Sequence, residues 1–483
     1  MGALATAVNK RGKNAVPEVV AMLRELKHRG IDAHGIATPS WVKIIKSLDE
    51  LIIEEAGSHI ALGHNISRIS LKNSSQPVLG EGFALAFDGR FFPPTKKCEV
   101  DEVIEELKPD AQKNASKIIK FDGSYVFAIA FPEKVIAGRD PLGTNPLYYG
   151  ENETTSALAS ERKALWTIGI KDVKSFPPGS LAVVNRSGFS FKPIKPVTQP
   201  PLRNIKMENA VEQLRRLLLK STEARVKNLE RVAVAFSGGL DSSVIAALAK
   251  AFGVRVLLVS VGLENQPEIR FVEDAAEALG LPIHIATYTP KDVEEVLPKV
   301  LWLIEEPDAM KASVAIPFYW VAETASKLGY RVLFAGQGGD ELFGGYQRYL
   351  REYAHCGAEA VRDAMYRDVA SSYEVNFQRD NQVCAFHKVE LWLPFADREV
   401  VDFSLSLPVD LKIDLVKGLR KVILMAVAEM LGVPPFIFNR PKKAVQYATG
   451  VDGALRRLAR GKGLTSKEYI EKVFNEVYPE MGA

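Results

Sequence analysis

Arg231-Val-Ala-Val-Ala-Phe236 runs directly into Ser237-Gly-Gly-Leu-Asp-Ser-Ser243, and Val244-Ile-Ala-Ala-Leu-Ala-Lys-Ala-Phe-Gly253 follows. The first run reads as a buried strand, the glycines as a turn, and the alanine-rich run as a helix. That order makes a phosphate-binding device. Gly238 and Gly239 let backbone N–H groups approach phosphate oxygens, Ser237 and Ser242 add hydroxyls, and the helix presents its positive end to the same anion. The loop lacks the lysine that opens the helix of a Walker A loop and carries Asp241 instead. A carboxylate there repels phosphate unless Mg²⁺ lies between them. Amides, hydroxyls and a metal gripping pyrophosphate suit attack at an α-phosphate, so the expected class is an adenylating enzyme using ATP and Mg²⁺. An ordinary turn capped by Asp241 and Ser242 would use the same residue types, but the strand before and the helix after favour the phosphate reading.

The chain has 483 residues, enough for two domains with their own cores. Its 62 Lys and Arg against 59 Asp and Glu leave no concentrated basic face, so no nucleic-acid partner is expected. The cluster Arg456-Arg-Leu-Ala-Arg-Gly-Lys462 reads as a solvated helix face. Cys98, Cys356 and Cys384 are scattered, which gives neither a disulfide framework nor a zinc site and suits a reducing cytoplasm. No run has the length of a membrane helix, and no signal peptide is expected. Met1-Gly-Ala-Leu-Ala-Thr6 matches a loose myristoylation pattern, but its apolar continuation to Val8 reads as a buried strand, so lipidation is not expected.

Residues 1–193 are rich in strand-like segments: Leu4–Val8, Ile60–Ile69, Phe83–Phe87, Tyr125–Phe131 and Ser180–Val184. Two helical patterns interrupt them, Pro17–Arg29 and Val100–Leu107. A proline-rich linker over 194–205 follows. From 206 a helix over Ala210–Val226 leads into alternating strands (Val232–Phe236, Arg255–Val261, Ile283–Tyr288, Arg331–Ala335) and helices, among them Ile269–Leu279 and Asp292–Ile304. Such alternation predicts a parallel sheet with helices on both faces, with Ser237, Val261 and Gly336 converging beyond its carboxyl edge. From about Tyr346 the chain reads mostly helical.

A second glycine loop, Gly336-Gln-Gly-Gly-Asp-Glu-Leu-Phe-Gly-Gly-Tyr346, follows the strand Arg331–Ala335, and its Asp340 can share Mg²⁺ with Asp241. A turn whose Asp340 and Glu341 cap the next helix would look similar. The heptapeptide resembles the loop of N-type ATP pyrophosphatases. With Ser260-Val-Gly-Leu-Glu-Asn265, Val389-Glu-Leu-Trp-Leu-Pro-Phe-Ala-Asp397, Lys417-Gly-Leu-Arg420 and Asn439-Arg-Pro-Lys442, the chain resembles the glutamine-hydrolysing asparagine synthetases, class II amidotransferases, over nearly its whole length. The resemblance implies an ATP-pyrophosphatase (HUP-like) second domain with a mostly helical C-terminal part. Phe236, Val261 and Gly336 would border ATP; Ser237, Gly238, Gly239, Asp241 and Ser242 would hold pyrophosphate. Lys442 would lie at the α-phosphate, with Lys443 leaving the register open. It implies activation of a carboxylate, aspartate by default, as an acyl-adenylate, followed by attack of ammonia. Gln337 stands where the family often has Glu and cannot serve as a base, though it can hydrogen-bond; Trp392 stands where the family pattern has Arg.

The resemblance also implies an N-terminal-nucleophile (Ntn) hydrolase-like sandwich of two antiparallel sheets with helices. It rests on His28-Arg-Gly-Ile-Asp32, Leu62-Gly-His64, Gln76-Pro77, Arg139-Asp-Pro-Leu-Gly143, Pro146-Leu-Tyr-Tyr149 and Ala159-Ser-Glu161. The family's nucleophile is a cysteine at residue 2, where this chain has Gly2. The family's Asn-Gly-Glu is matched by Asp88-Gly89-Arg90, whose carboxylate would repel an oxyanion. The family arginine after Gly-His is out of register, with Ile66 in its place and Arg68 two residues on. The first domain is therefore expected to be inactive, and the nitrogen to be ammonia, free or from a separate donor. A homodimer stays open. So do an adenylating ligase for another carboxylate, of the β-lactam-synthetase kind or otherwise, and a non-catalytic nucleotide-binding regulator.

Overall fold

The computed structural model describes residues 2–50, 57–67, 75–95, 97–440 and 443–479. The chain divides into two compact units, residues 1–197 and 198–483.

In the first unit thirteen described strands form two sheets: β1 (Gly2–Asn9), β2 (Ala33–Thr38), β3 (Trp41–Ile45), β4 (Ile60–Ile66), β5 (Val78–Gly80), β6 (Phe83–Phe91), β7 (Gly123–Ala130), β8 (Val135–Arg139), β9 (Tyr148–Glu151), β10 (Thr155–Ala159), β11 (Val173–Ser175), β12 (Ser180–Asn185) and β13 (Gly188–Pro193). One sheet has the order β11-β9-β10-β1-β4-β2-β3, the other β13-β12-β8-β7-β6-β5, and every pairing is antiparallel. β1 is buried along its whole length because both of its faces are covered. Leu4 and Val8 point toward the other sheet and meet Ala86 and Val126. Ala3, Ala5 and Ala7 point away and meet Val16, Val19 and Leu23 of the helix Val16–Glu25. On the far side Phe87, Tyr125 and Phe127 pack under Val100, Val103 and Ile118 from two further helices. The unit is thus a four-layer sandwich, helices outside and sheets inside, as expected from the strand-rich sequence. The pattern read as one helix over Pro17–Arg29 ends at Glu25 and becomes a single 3₁₀ turn over Lys27–Arg29. Arg68 and Ile69 lie outside the described residues.

In the second unit β14 (Arg231–Ala235), β15 (Arg255–Leu263), β16 (Ile283–Tyr288), β17 (Val332–Phe334) and β18 (Glu390–Trp392) form one parallel sheet, ordered β16-β15-β14-β17-β18. The chain moves outward from β14 to β16, then returns to β14's other side. That reversal opens a crevice at the carboxyl edge between β14 and β17, where open α/β sheets take ligands. The helices anticipated at Ile269 and Asp292 begin earlier, at Glu268 and Pro290, the latter fixed by a capping box between Thr289 and Asp292. The region read as mostly helical carries β18 and a small hairpin of β19 (Ile413–Asp414) and β20 (Leu419–Arg420). β18 is only three residues long, too short for its alternation to register. No described helix is long and apolar enough to cross a membrane.

Candidate active site

A cavity of about 950 Å³ opens at the crevice, within the second unit. Phe236 and Ser237 reach it from the end of β14, Val261 from β15, and Gly336 and Gln337 from the loop after β17. Asp241, Ser242 and Asp340 complete that wall. Gly238 and Gly239 are not among its lining residues; Gly238 makes the turn at φ 70°, and Gly239 caps the helix Leu240–Ala251. The two hydroxyls are set against each other, Ser237 Oγ 3.2 Å from Ser242 Oγ, and Ser242 Oγ donates to the Gly239 carbonyl at 3.1 Å.

The lysine missing from the loop arrives from 180 residues away. Lys421, buried, donates through Nζ to both Asp241 oxygens at 2.6 and 2.5 Å and lies 2.7 Å from Asp340 Oδ1. Its backbone is left-handed, φ 59°, at the head of the helix Val422–Met430, a conformation uncommon for lysine. Sequence reasoning stopped one residue short of it, at Lys417-Gly-Leu-Arg420. The glycines of the second loop make room for this pairing: a Cβ on Gly336 would lie 2.8 Å from the Asp241 Cβ, and one on Gly345 would overlap Asp340 and Lys421.

Three more side chains unforeseen at this wall are Tyr346, Asn376 and Arg379, with Asp380 behind them. Glu341 is buried and accepts from Tyr346 Oη at 2.5 Å and from Asn376 Nδ2 at 2.9 Å. Burial pushes its carboxyl above the usual range, against the pull of the tyrosine hydroxyl. Gln337 donates its amide N–H to Asp380. Asp380 is wholly buried, which raises its carboxyl, while Arg379 and Gln337 draw it back. Trp392 is not among the residues lining the cavity; its indole N–H donates to Glu390 at 3.0 Å. Lys442 lies outside the described residues. Its neighbour Lys443 lines the cavity and pairs with Glu268 at 2.5 Å. Among the described residues no three His, Cys, Asp or Glu side chains cluster as a metal cage.

The asparagine synthase family model matches residues 213–356 and 351–478, and a glutamine amidotransferase domain model matches 96–167. A Methanocaldococcus jannaschii protein named "Putative asparagine synthetase (glutamine-hydrolyzing) 1" is 31% identical across 95% of this chain and 96% of its own length. The chain belongs to the asparagine synthase family. It is accordingly a ligase that forms C–N bonds at the expense of ATP. Asparagine synthetase B of Escherichia coli, a glutamine-hydrolysing enzyme by name, is 24% identical over 81% of this chain and 72% of its own. A Dictyostelium discoideum protein named as a probable enzyme of the same type is 25% identical over the same shares.

In the first unit Gly2 stands at the start of β1. Gly2 pairs with Ile66 in β4, and a Cβ on it would lie 2.7 Å from His64 Cε1 and overlap the Asn65 carbonyl. His64 and Asp88 border a cavity of only about 30 Å³, among the described residues, at the place where Gly89 and Arg90 continue β6. That is room for a water or two. Burial alone would raise the Asp88 carboxyl, but His64, 3.9 Å away, and Arg29 hold it well below the usual carboxylate range. Asn145 Nδ2 also donates to the Asp88 carbonyl at 2.9 Å.

Three of the quoted segments supply buried ties within this unit. Arg139 is fully buried and donates to the carbonyls of Asn145, Phe176 and Gly143 at 2.7, 2.9 and 2.6 Å. Asp140 accepts from the backbone of Leu142, Thr144 and Asn145. Glu161 is ringed by His28, Arg29 and Lys163, at 2.9, 3.1 and 2.5 Å.

Proposed function

We propose that the second unit joins ammonia to a carboxylate through an acyl-adenylate, with aspartate as the default acceptor. The observation that carries this reading is the meeting of the Ser237–Ser242 hydroxyl pair with the Lys421-bridged Asp241 and Asp340 on one cavity wall. A carboxylate resists amines because oxide is a poor leaving group. Its oxygen therefore attacks the α-phosphorus of ATP, the α–β P–O bond breaks, and pyrophosphate leaves. Ammonia then attacks the acyl carbon, and AMP departs as the nitrogen loses a proton. Ser237, Ser242 and the amino end of the Leu240–Ala251 helix hold the pyrophosphate, and Lys421 adds positive charge where its negative charge grows. Asp241 and Asp340 are hard oxygen donors spaced to share one cation, which suits Mg²⁺. When bound, that ion neutralises phosphate charge. The resemblance gives Lys442 the α-phosphate.

The first unit supplies no nitrogen in this reading: Gly2 has no nucleophile, and the space beside Asp88 is too small for glutamine. Pyrophosphate release from ATP across a panel of amino acids, with ammonium or glutamine, tests it. Aspartate-dependent release with asparagine formed from ammonium alone is expected. Release with no carboxylate at all would overturn the activation chemistry, and equal use of glutamine by the purified chain would overturn the account of the first unit.

A further inference from the structure

Gln337 stands at this wall where the family resemblance has Glu, and its amide cannot take a proton. Its geometry offers something else. Gln337 lines the cavity, while its partner Asp380 lies behind it, fully buried and outside the lining. Arg379 grips Asp380 with two bonds, Nε to Oδ1 at 2.7 Å and Nη2 to Oδ2 at 3.1 Å, and is itself tied to the Val375 carbonyl at 3.2 Å. An ionised carboxylate only accepts hydrogen bonds, so the Gln337 group facing it must be the amide nitrogen. The amide oxygen is thereby turned the other way. We propose that Asp380 is a positioning residue that locks the Gln337 amide so that its Oε1 accepts an N–H from the incoming ammonia and aims the nitrogen lone pair at the acyl carbon.

This rests on the reading of the cavity as the place of amide formation, and it deepens that reading. The carboxylate at this wall moves one step back, from the surface to a buried post, and selects a neutral acceptor instead of a base. The proton lost by the nitrogen leaves with the solvent or the departing AMP and passes through no protein group.

The test separates the two half-reactions in the full-length protein. Asp380→Asn offers an amide N–H to the Gln337 oxygen, so the Gln337 amide can turn and present its nitrogen to the cavity. Carboxylate-dependent exchange of pyrophosphate into ATP is expected to stay within about twofold, while amide formation from ammonium falls ~30-fold in kcat/KM for ammonium, the scale of a misaimed nucleophile. The double variant Gln337→Glu with Asp380→Asn restores the donor–acceptor pairing in reverse, with an oxygen again facing the cavity, and is expected to recover at least about threefold of that loss. Equal loss in both half-reactions, or no loss in either, overturns the role of Asp380. So does a double variant no better than Asp380→Asn. If the unaltered protein exchanges pyrophosphate with no carboxylate, the underlying reading fails instead, and the proposal with it.

Discussion

The two units each bury a cluster of opposite charges, and the clusters do different things. In the first, Glu161 has no exposed surface and is met by His28, Arg29 and Lys163; Arg29 also donates to the Gly2 carbonyl at 3.0 Å. Every charge faces another charge or the backbone, and among the described residues neither cavity described above is lined by this cluster. In the second, Lys421 holds Asp241 and Asp340 at the edge of a 950 Å³ cavity. Removing one member of a buried pair leaves the rest unpaired and costs about 3–5 kcal/mol, so both clusters are protected by stability. Only the second also faces open volume. A buried charge cluster can therefore serve folding alone, and the presence of motif residues does not by itself mark a working site.

The sharpest way to break this comparison is Lys421→Met, which fits the buried stem and removes only the charge. Pyrophosphate release is expected to fall ~10²–10³-fold, as when one charge-stabilising donor is deleted. High Mg²⁺ should recover part of the loss if a divalent ion shares the two aspartates. A full-rate variant would mean that Lys421 is scaffold, like Lys163. Gly345→Ala comes next: its Cβ overlaps Asp340 and Lys421, and about a tenfold loss of pyrophosphate release is expected with a smaller fall in Tm. Loss of stability without loss of rate would move Gly345 to the scaffold class.

A third contrast concerns acid. His387 in the second unit is packed edge-on against Tyr319, at 4.2 Å between rings, and against Phe386. Burial, with Lys327 adding to it, brings its pKa down from the ordinary value to about 4. A depressed histidine binds fewer protons folded than unfolded, so its contribution is present above the unfolded pKa and is lost as pH falls from about 6.5 to 4. Urea midpoints of the second unit's transition should drop by the equivalent of about 2 kcal/mol between pH 7 and pH 4.5, and His387→Phe should flatten that slope. An unchanged slope would place the acid-sensitive group elsewhere.

Much of this was legible in the chain because local signals agreed. Strand, glycine turn and helix around Ser237 fixed a parallel-sheet unit with a crevice, since one short segment carried three mutually consistent patterns. The sandwich was legible from the strand-like runs, but Val135–Arg139, Tyr148–Glu151 and Thr155–Ala159 were not, being brief and flanked by no strong turn pair. The site was legible only along the first and second glycine loops. Lys421 and Asp380 were not, because each acts through contacts made across 180 and 43 residues, and spacing carries no trace of such pairings. Lys421 left one faint mark, its place directly after Leu419-Arg420. The role of Glu341 was not legible either, because its burial and its bond from Tyr346 cannot be read from Asp-Glu in a turn.

The smallest expected effect on rate is the most informative about the first unit. Gly2→Cys supplies the thiol that a class II glutaminase uses, so it asks whether one residue separates the two units' fates. The structure predicts that it does not. The new Cβ would overlap the Asn65 carbonyl and lie 2.7 Å from His64, so β1 must shift or His64 must turn, at a cost of about 1–3 kcal/mol for overpacking. The thiolate would then face Asp88, whose negative charge opposes both the thiolate and the oxyanion that follows. Glutamate release from glutamine should stay at the background of the unaltered protein, while ammonium-dependent amide formation stays within about twofold and Tm falls by a few degrees. Glutamate release well above background would show that the closed pocket reopens for a nucleophile, and the contrast between the units would then rest on residue 2 alone.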